Sequence, residues 1–258
     1  MNHIFLSGMT VIFFLLAKGD MLAMNQQDDN NKYQNTNRQK YDIRKPDFVR
    51  DPMAAYGNED LGPYTVDDYM KLPEKGPYTI KDYYAIPEER RVELIDGVIY
   101  DMAAPDYIHQ LIIGEMFEQI KSCIRNHKSL CRVFVSPCDV QPAGEDDTVV
   151  QPDLMVICSR ENLTRRLYRG APAFVMEVLS STTRRRDLGL KRQKYMTSGV
   201  REYWIVDPDS RQVLVYDFDH SDVPAIYPFS AQIPILISDG KCQIDFAEIS
   251  EAIDELNL

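Results

Sequence analysis

Tryptophan occurs once in this chain of 258 residues, histidine four times, and no pair of cysteines has the C-x-x-C spacing. Each scarcity excludes something. One tryptophan leaves no tryptophan-rich stacking surface of the kind that binds sugars. The histidines, at positions 3, 109, 127 and 220, show no metal-ligand spacing. The five cysteines (123, 131, 138, 158 and 242) are odd in number and widely spread. That argues against a zinc site or a disulfide framework and for a reducing, cytoplasmic setting. Cys158, in an apolar stretch, reads as a small hydrophobe.

Long apolar runs are scarce as well. Ile4 to Ala17 is mostly apolar, too short for a bilayer span. It resembles a signal-peptide core, but no Lys or Arg precedes it and no A-x-A site follows. Secretion, anchoring, or a start at Met21 or Met24 are the open readings of residues 1–24. Excess positive charge is missing too: 29 Lys and Arg face 40 Asp and Glu, a net charge of −11. A protein coated in nucleic acid would not carry that balance.

The remaining sequence falls into three parts. Residues 25–60 are rich in Asn, Gln and Asp and read as a disordered linker. Residues 61–76 hold Tyr64-Thr-Val-Asp-Asp-Tyr69, which is repeated as Tyr78-Thr-Ile-Lys-Asp-Tyr83. In each copy Thr precedes a short apolar-periodic stretch as a helix N-cap does, and a Pro stops it. The folded domain is then expected over 77–258. It should contain a hairpin turning at Asp96-Gly97, an amphipathic helix over Tyr107–Asn126 and strands over 132–140, 149–158 and 173–179. A helix over 187–198 closed by Gly199, strands over 202–206, 212–218 and 242–246, and a short helix to Ile253 complete the order. This is the pattern of an α/β protein with a central mixed sheet flanked by helices.

Two of those strands carry a carboxylate inside an apolar run: Asp153-Leu-Met-Val-Ile-Cys158 and Ala173-Phe-Val-Met-Glu-Val-Leu179. Burying a carboxylate costs several kcal/mol unless it is paired or binds a cation. Two on neighbouring strands suggest a divalent-metal site. The other reading is that each lies in water at a strand mouth or pairs with an arginine. Charge around them is locally reversed, with eleven Lys and Arg against five acids over 151–204, an excess of six. That excess fits either a phosphate-facing patch or a solvated helix face. Asp187, Lys191 and Tyr195 fall at i, i+4 and i+8 and share a helix face. Lys191 can thus point back at the strand end, or be half of a surface Asp–Lys pair.

Taken together, the motifs resemble the Uma-type family of restriction-endonuclease-like proteins. Those motifs are Val92-Glu-Leu-Ile-Asp-Gly97, Met102-Ala-Ala-Pro with His109, Gln151-Pro-Asp-Leu154 and Glu177-Val-Leu-Ser180. Thr183-Arg-Arg-Arg-Asp-Leu188, Lys191 with Tyr195, and Gly199-Val-Arg-Glu-Tyr-Trp-Ile-Val-Asp207 complete them. The resemblance covers about residues 76–250 and implies the PD-(D/E)XK nuclease fold and a Mg²⁺- or Mn²⁺-dependent endonuclease acting on DNA. By that resemblance Asp153 and Glu177 are catalytic metal ligands and Glu93 is a further ligand. Leu179 stands where the superfamily pattern has Lys, and Lys191 is the candidate replacement. Gln151, Tyr195, Arg184, Arg185, Arg186 and Arg192 are candidates for positioning substrate. The expected partners are DNA, held through its backbone, and a second copy of the chain; no membrane partner is expected. Two rivals remain: a catalytically inactive binding module of the same fold, and a sugar hydrolase using Asp153 and Glu177 as an acid/base pair.

Overall fold

The computed structural model describes residues 75–258. The apolar segment, the linker and the first copy of the repeat therefore lie outside the described residues. The second copy forms α1 (Ile80–Tyr83), and the Asp82 carboxylate accepts hydrogen bonds from the Thr79 N–H and hydroxyl at 2.9 and 2.8 Å. A hairpin of β1 (Val92–Ile95) and β2 (Val98–Asp101) follows. Its turn has positive φ at both Asp96 (49°) and Gly97 (72°), the geometry whose twist matches that of two antiparallel strands. A side chain at Gly97 would also collide with the Gly76 carbonyl.

Next comes α2 (Tyr107–Asn126), whose first turn is capped by Asp106 accepting from the His109 N–H at 2.8 Å. Ile112, Met116 and Ile120 recur every four residues and form its buried stripe. The chain continues through β3 (Arg132–Val135), β4 (Asp139–Gln141), β5 (Leu154–Ile157), β6 (Leu167–Arg169) and β7 (Phe174–Val178). One helical stretch then comprises α3 (Arg184–Arg186), a π-helical turn over Asp187–Lys191, and α4 (Arg192–Ser198). It ends where Gly199 adopts φ 93°, a left-handed position that suits glycine. Strands β8 (Glu202–Asp207), β9 (Gln212–Asp217), β10 (Ala225–Pro228), β11 (Gln232–Ile235) and β12 (Cys242–Asp245) precede the last helix, α5 (Phe246–Glu255).

Six strands make one mixed sheet in the order β10-β9-β8-β7-β5-β3, with only β7 and β8 parallel. Residue alternation sorts its two faces. Leu154, Val156, Phe174, Met176, Trp204 and Val206 pack with α2 and α5, while Met155, Val175, Tyr203 and Ile205 pack with Leu190 and Tyr195 of the π-turn helix. The central strands β7 and β8 are buried throughout, which explains why they read as continuous apolar runs. Strand 132–140 is interrupted: Pro137 lies between β3 in the large sheet and β4, which pairs with β6 instead.

The cysteines correct the sequence expectation. Cys123–Cys242 and Cys131–Cys158 form disulfides, leaving Cys138 free. Cys158 is exposed rather than a core hydrophobe. The partners are 119 and 27 residues apart, so tertiary structure alone brings them together and local spacing carries no sign of it. The cysteine argument for a reducing compartment loses its premise. Among the described residues no helix is long and apolar enough to cross a membrane.

Candidate active site

Strands β5 and β7 are antiparallel neighbours with Leu154 opposite Met176, which sets Asp153 beside Glu177 at one end of the sheet. Backbone and side chain interlock there. The Val178 N–H donates to Asp153 Oδ2 at 2.9 Å, and the Asp153 N–H makes a longer 3.4 Å contact to Glu177 Oε2. His109, from the first turn of α2, places Nε2 3.1 Å from Asp153 Oδ2. A cleft of about 450 Å³ opens on these groups, walled by Arg91, Pro105, Ser136 and the Ser180–Thr183 loop.

Behind the pair lies a buried ionic network. The Lys191 ammonium sits 2.8 Å from Glu93 Oε1, 2.9 Å from Glu177 Oε1 and 3.6 Å from Asp187 Oδ1. The Tyr195 hydroxyl donates to the same Glu177 oxygen at 2.7 Å, and the Gln151 N–H donates to Glu93 Oε1 at 2.9 Å. Arg186 brings Nε to 3.7 Å from Glu93 Oε2 and lies over the Tyr100 ring. Glu93 is fully buried and Glu177, Asp187 and Lys191 nearly so. Lys191 and Tyr195 of the same-face stripe thus converge on Glu177, with Asp187 beside Lys191, across a π turn that the sequence did not disclose. Such turns are frequent at functional sites.

Burial sets the electrostatics. It pushes the Glu177 carboxyl well above its ordinary range, and Asp153, Asp187 and Glu93 add to the rise against the pull of Lys191. Asp187 is raised for the same reason. Lys191 behaves oppositely: burial pulls its ammonium down, but Glu177, Glu93 and Asp187 outweigh it and the pKa rises. His109 is also raised, because its bond to Asp153 outweighs its burial. Four carboxyl groups, Glu93, Asp153, Glu177 and Asp187, thus lie in one cluster with two basic side chains, Lys191 and Arg186, an excess of two acidic groups before His109 is counted.

Several predicted residues sit elsewhere or are already engaged. The Gln151 amide turns away from Asp153 and donates to the Tyr83 hydroxyl and Asp139 at 3.0 Å each. Being on the same strand face did not suffice, because Gln151 precedes β5, where the chain bridges to β4 instead. The basic run is divided. Arg184 makes a two-pronged bond to Asp207 at 2.8 Å, Arg186 is buried in the network, Arg185 is half-buried, and Arg192 lies over Tyr216 on α4. Sequence reasoning assigned no chemistry to His109 and passed over Arg91. Arg91 is exposed at the cleft mouth and donates to the Ser136 hydroxyl at 3.0 Å. Its only local signal was its place one residue before the Val92-Glu-Leu-Ile-Asp-Gly97 motif.

A family model described as "Uma2: Putative restriction endonuclease" matches residues 80–232, well over half of the chain. The chain belongs to the Uma2 family. Every residue of the carboxylate cluster lies inside the matched span. A solved structure, described as a "putative nuclease" of DUF820 from Anabaena variabilis ATCC 29413, superposes with a TM-score of 0.56 at 21% identity. The match covers 67% of this chain and 97% of that one. At that identity the likeness bears on the fold, and it agrees with the restriction-endonuclease-like sheet expected of Uma2 proteins. No curated protein matches the chain.

Proposed function

We propose that this Uma2 protein is a divalent-metal-dependent endonuclease that hydrolyses DNA phosphodiester bonds at the Asp153–Glu177 cleft. One observation carries the proposal: Asp153 and Glu177 stand side by side at the end of two central strands, within a buried cluster whose acids outnumber its bases by two. A divalent cation would balance that excess. The residues fit one chemically. The donor set is all carboxylate oxygen, which suits hard cations such as Mg²⁺ or Mn²⁺. Glu93 Oε2 and Asp187 Oδ1 are buried with no hydrogen-bond partner among the described residues; their neighbouring cations, Arg186 and Lys191, stand 3.7 and 3.6 Å away, which leaves both oxygens with unused acceptor capacity. Asp153 and Glu177 would hold the ion, with Glu93 as the third acidic ligand.

The bound ion supplies Lewis-acid stabilisation of phosphate charge. The chain's own residues do the rest. Lys191 fixes Glu177 and Glu93 in place and supplies positive charge next to the reacting phosphate. Tyr195 holds the second lone pair of Glu177 Oε1. His109 orients Asp153 from the opposite wall. Arg91, exposed and at the mouth, contacts the DNA backbone without reading sequence. The test is cleavage of plasmid and single-stranded DNA with Mg²⁺ or Mn²⁺, comparing wild type with Asp153→Ala and Glu177→Ala. Cleavage that needs the metal and disappears in both variants is the expected result. Wild-type rates in either variant, or undiminished cleavage in EDTA, would refute the assignment. Metal binding with no cleavage of any nucleic acid would instead favour the inactive binding module.

A further inference from the structure

At the opposite end of α2 from His109, a second group of ligand-type side chains has no part in that chemistry. Cys123 and His127 lie one helical turn apart at the C-terminal end of α2, with Cys123 Sγ 3.3 Å from His127 Nδ1. Cys242, at the start of β12, meets Cys123 from across the packing interface. The two sulfurs and an imidazole nitrogen all lie within 4.8 Å of one another. A cavity of about 380 Å³ opens beside them, with Cys131 and Asp239 also on its wall. The cavity leaves room for a fourth ligand.

We propose that reduction of the Cys123–Cys242 disulfide converts this corner into a site for a borderline-soft divalent cation of the Zn²⁺ class, held by Cys123, His127 and Cys242. The set matches that metal. Two thiolates and an imidazole are the preferred donors of Zn²⁺, and a fourth position can be taken by water or by another side chain. Reduction transfers two electrons and two protons from a dithiol, giving two thiols and the oxidised dithiol. Metal binding then releases the two thiol protons. In either state the corner ties the end of α2 to β12, once by a covalent bond and once by a shared ion.

A rival cluster lacks this character. Asp96, Glu145 and Asp147 also offer three close oxygens, but Lys194 lies 2.6 Å from Asp96 and 2.7 Å from Glu145, and Lys75 lies 3.1 Å from Asp147. Lysines already neutralise that group.

The test uses the full chain, reduced with a phosphine under nitrogen and titrated with Co²⁺. The readout is the sulfur-to-cobalt charge-transfer band, which an all-oxygen site such as the Asp153 cleft does not produce. The reduced protein should take up a single equivalent of Co²⁺ with this band, and Zn²⁺ should abolish it. Cys242→Ser should lose the band, and the exposed His127→Ala should bind at least about tenfold more weakly. Cys138→Ser should be unchanged, and the oxidised protein should show no band. A reduced wild type without the band, or a band that survives in Cys242→Ser, overturns the proposal and leaves the corner as a disulfide alone. Circular dichroism of each variant separates loss of a ligand from loss of the fold.

Discussion

Glu177 and Glu202 are both carboxylates buried in central strands, yet they do opposite things. They sit on adjacent parallel strands, with Phe174 rather than Glu177 opposite Glu202. Three residues of strand, about 10 Å, therefore separate them along the sheet. Glu202 faces the α2 and α5 side, where the Trp204 Nε1–H donates to Oε1 at 2.7 Å and the Ile237 N–H donates to Oε2 at 2.9 Å. Neutral donors satisfy both its oxygens and no cation is needed. Glu177 faces the other side among three more acids and leans on a buried ammonium. A carboxylate in an apolar strand is thus not in itself a sign of catalysis. Its neighbours decide.

The sharpest way to test that contrast is to make the same change at both positions. Glu177→Gln should lower metal-dependent cleavage by on the order of a hundredfold or more, since it removes a proposed ligand oxygen and the charged partner of Lys191. Glu202→Gln should leave cleavage unchanged and cost about 1 to 3 kcal/mol of stability, because one of its two donors then meets an amide N–H. Cleavage rates and urea unfolding of both variants supply the readouts. Equal activity losses would erase the distinction.

The contrast also marks what the sequence made legible. The carboxylate pair, the Asp96-Gly97 hairpin, α2 and the helix ending at Gly199 were readable, because periodicity, turn chemistry and caps are local signals. The order of motifs carried the family. Glu202 escaped notice, although it too is a carboxylate in an apolar strand, because it lies between Arg201 and Tyr203 and reads as a strand start. The division of the arginine run was equally invisible. Arg184 finds Asp207 and Arg192 finds Tyr216 only after the helix has docked on β8 and β9. The disulfides and the turning of Gln151 toward Tyr83 are likewise contacts between segments distant in sequence.

Lys191→Met probes the charged end directly. Removing the ammonium leaves Glu93, Glu177 and Asp187 buried with Arg186 as the remaining cation beside them, an expected loss of about 3 to 5 kcal/mol. The loss should depend on pH. Carboxyl groups whose pKa is raised in the folded state contribute stability at low pH and lose it as pH rises through the raised value. The variant should therefore be closest to wild type at acid pH, and its deficit should grow as pH rises and the buried Glu177 and Asp187 carboxyls ionise. A deficit independent of pH would mean that the lysine acts by packing rather than charge.

At the neutral end the corresponding experiment concerns Glu202 alone, whose carboxyl is pushed up to about 7 by burial. Its folded pKa lies above the ordinary 4.5. Its stabilising contribution is therefore complete below about pH 4.5 and is lost as pH rises through about 7, an order-of-magnitude span of about 3 kcal/mol. Wild type should show this decline in urea unfolding between those values, and Glu202→Gln should lack it. A decline that persists in the variant would assign the slope to the Glu177 cluster instead.

The smallest effects separate two arginines that look alike in sequence. Arg91 stands exposed at the cleft mouth, whereas Arg192 lies with its guanidinium carbon 5.6 Å from the centre of the Tyr216 ring. Arg91→Ala should weaken DNA binding uniformly across sequences and lower the salt slope by about one, the mark of a single lost phosphate contact. Arg192→Ala should leave the slope unchanged and cost only about 0.5 to 1 kcal/mol of stability through the lost ring contact. Binding isotherms at several salt concentrations decide between them. If Arg192→Ala shifts the slope as much as Arg91→Ala, the α4 surface carries DNA as well, and the cleft alone does not define the substrate path.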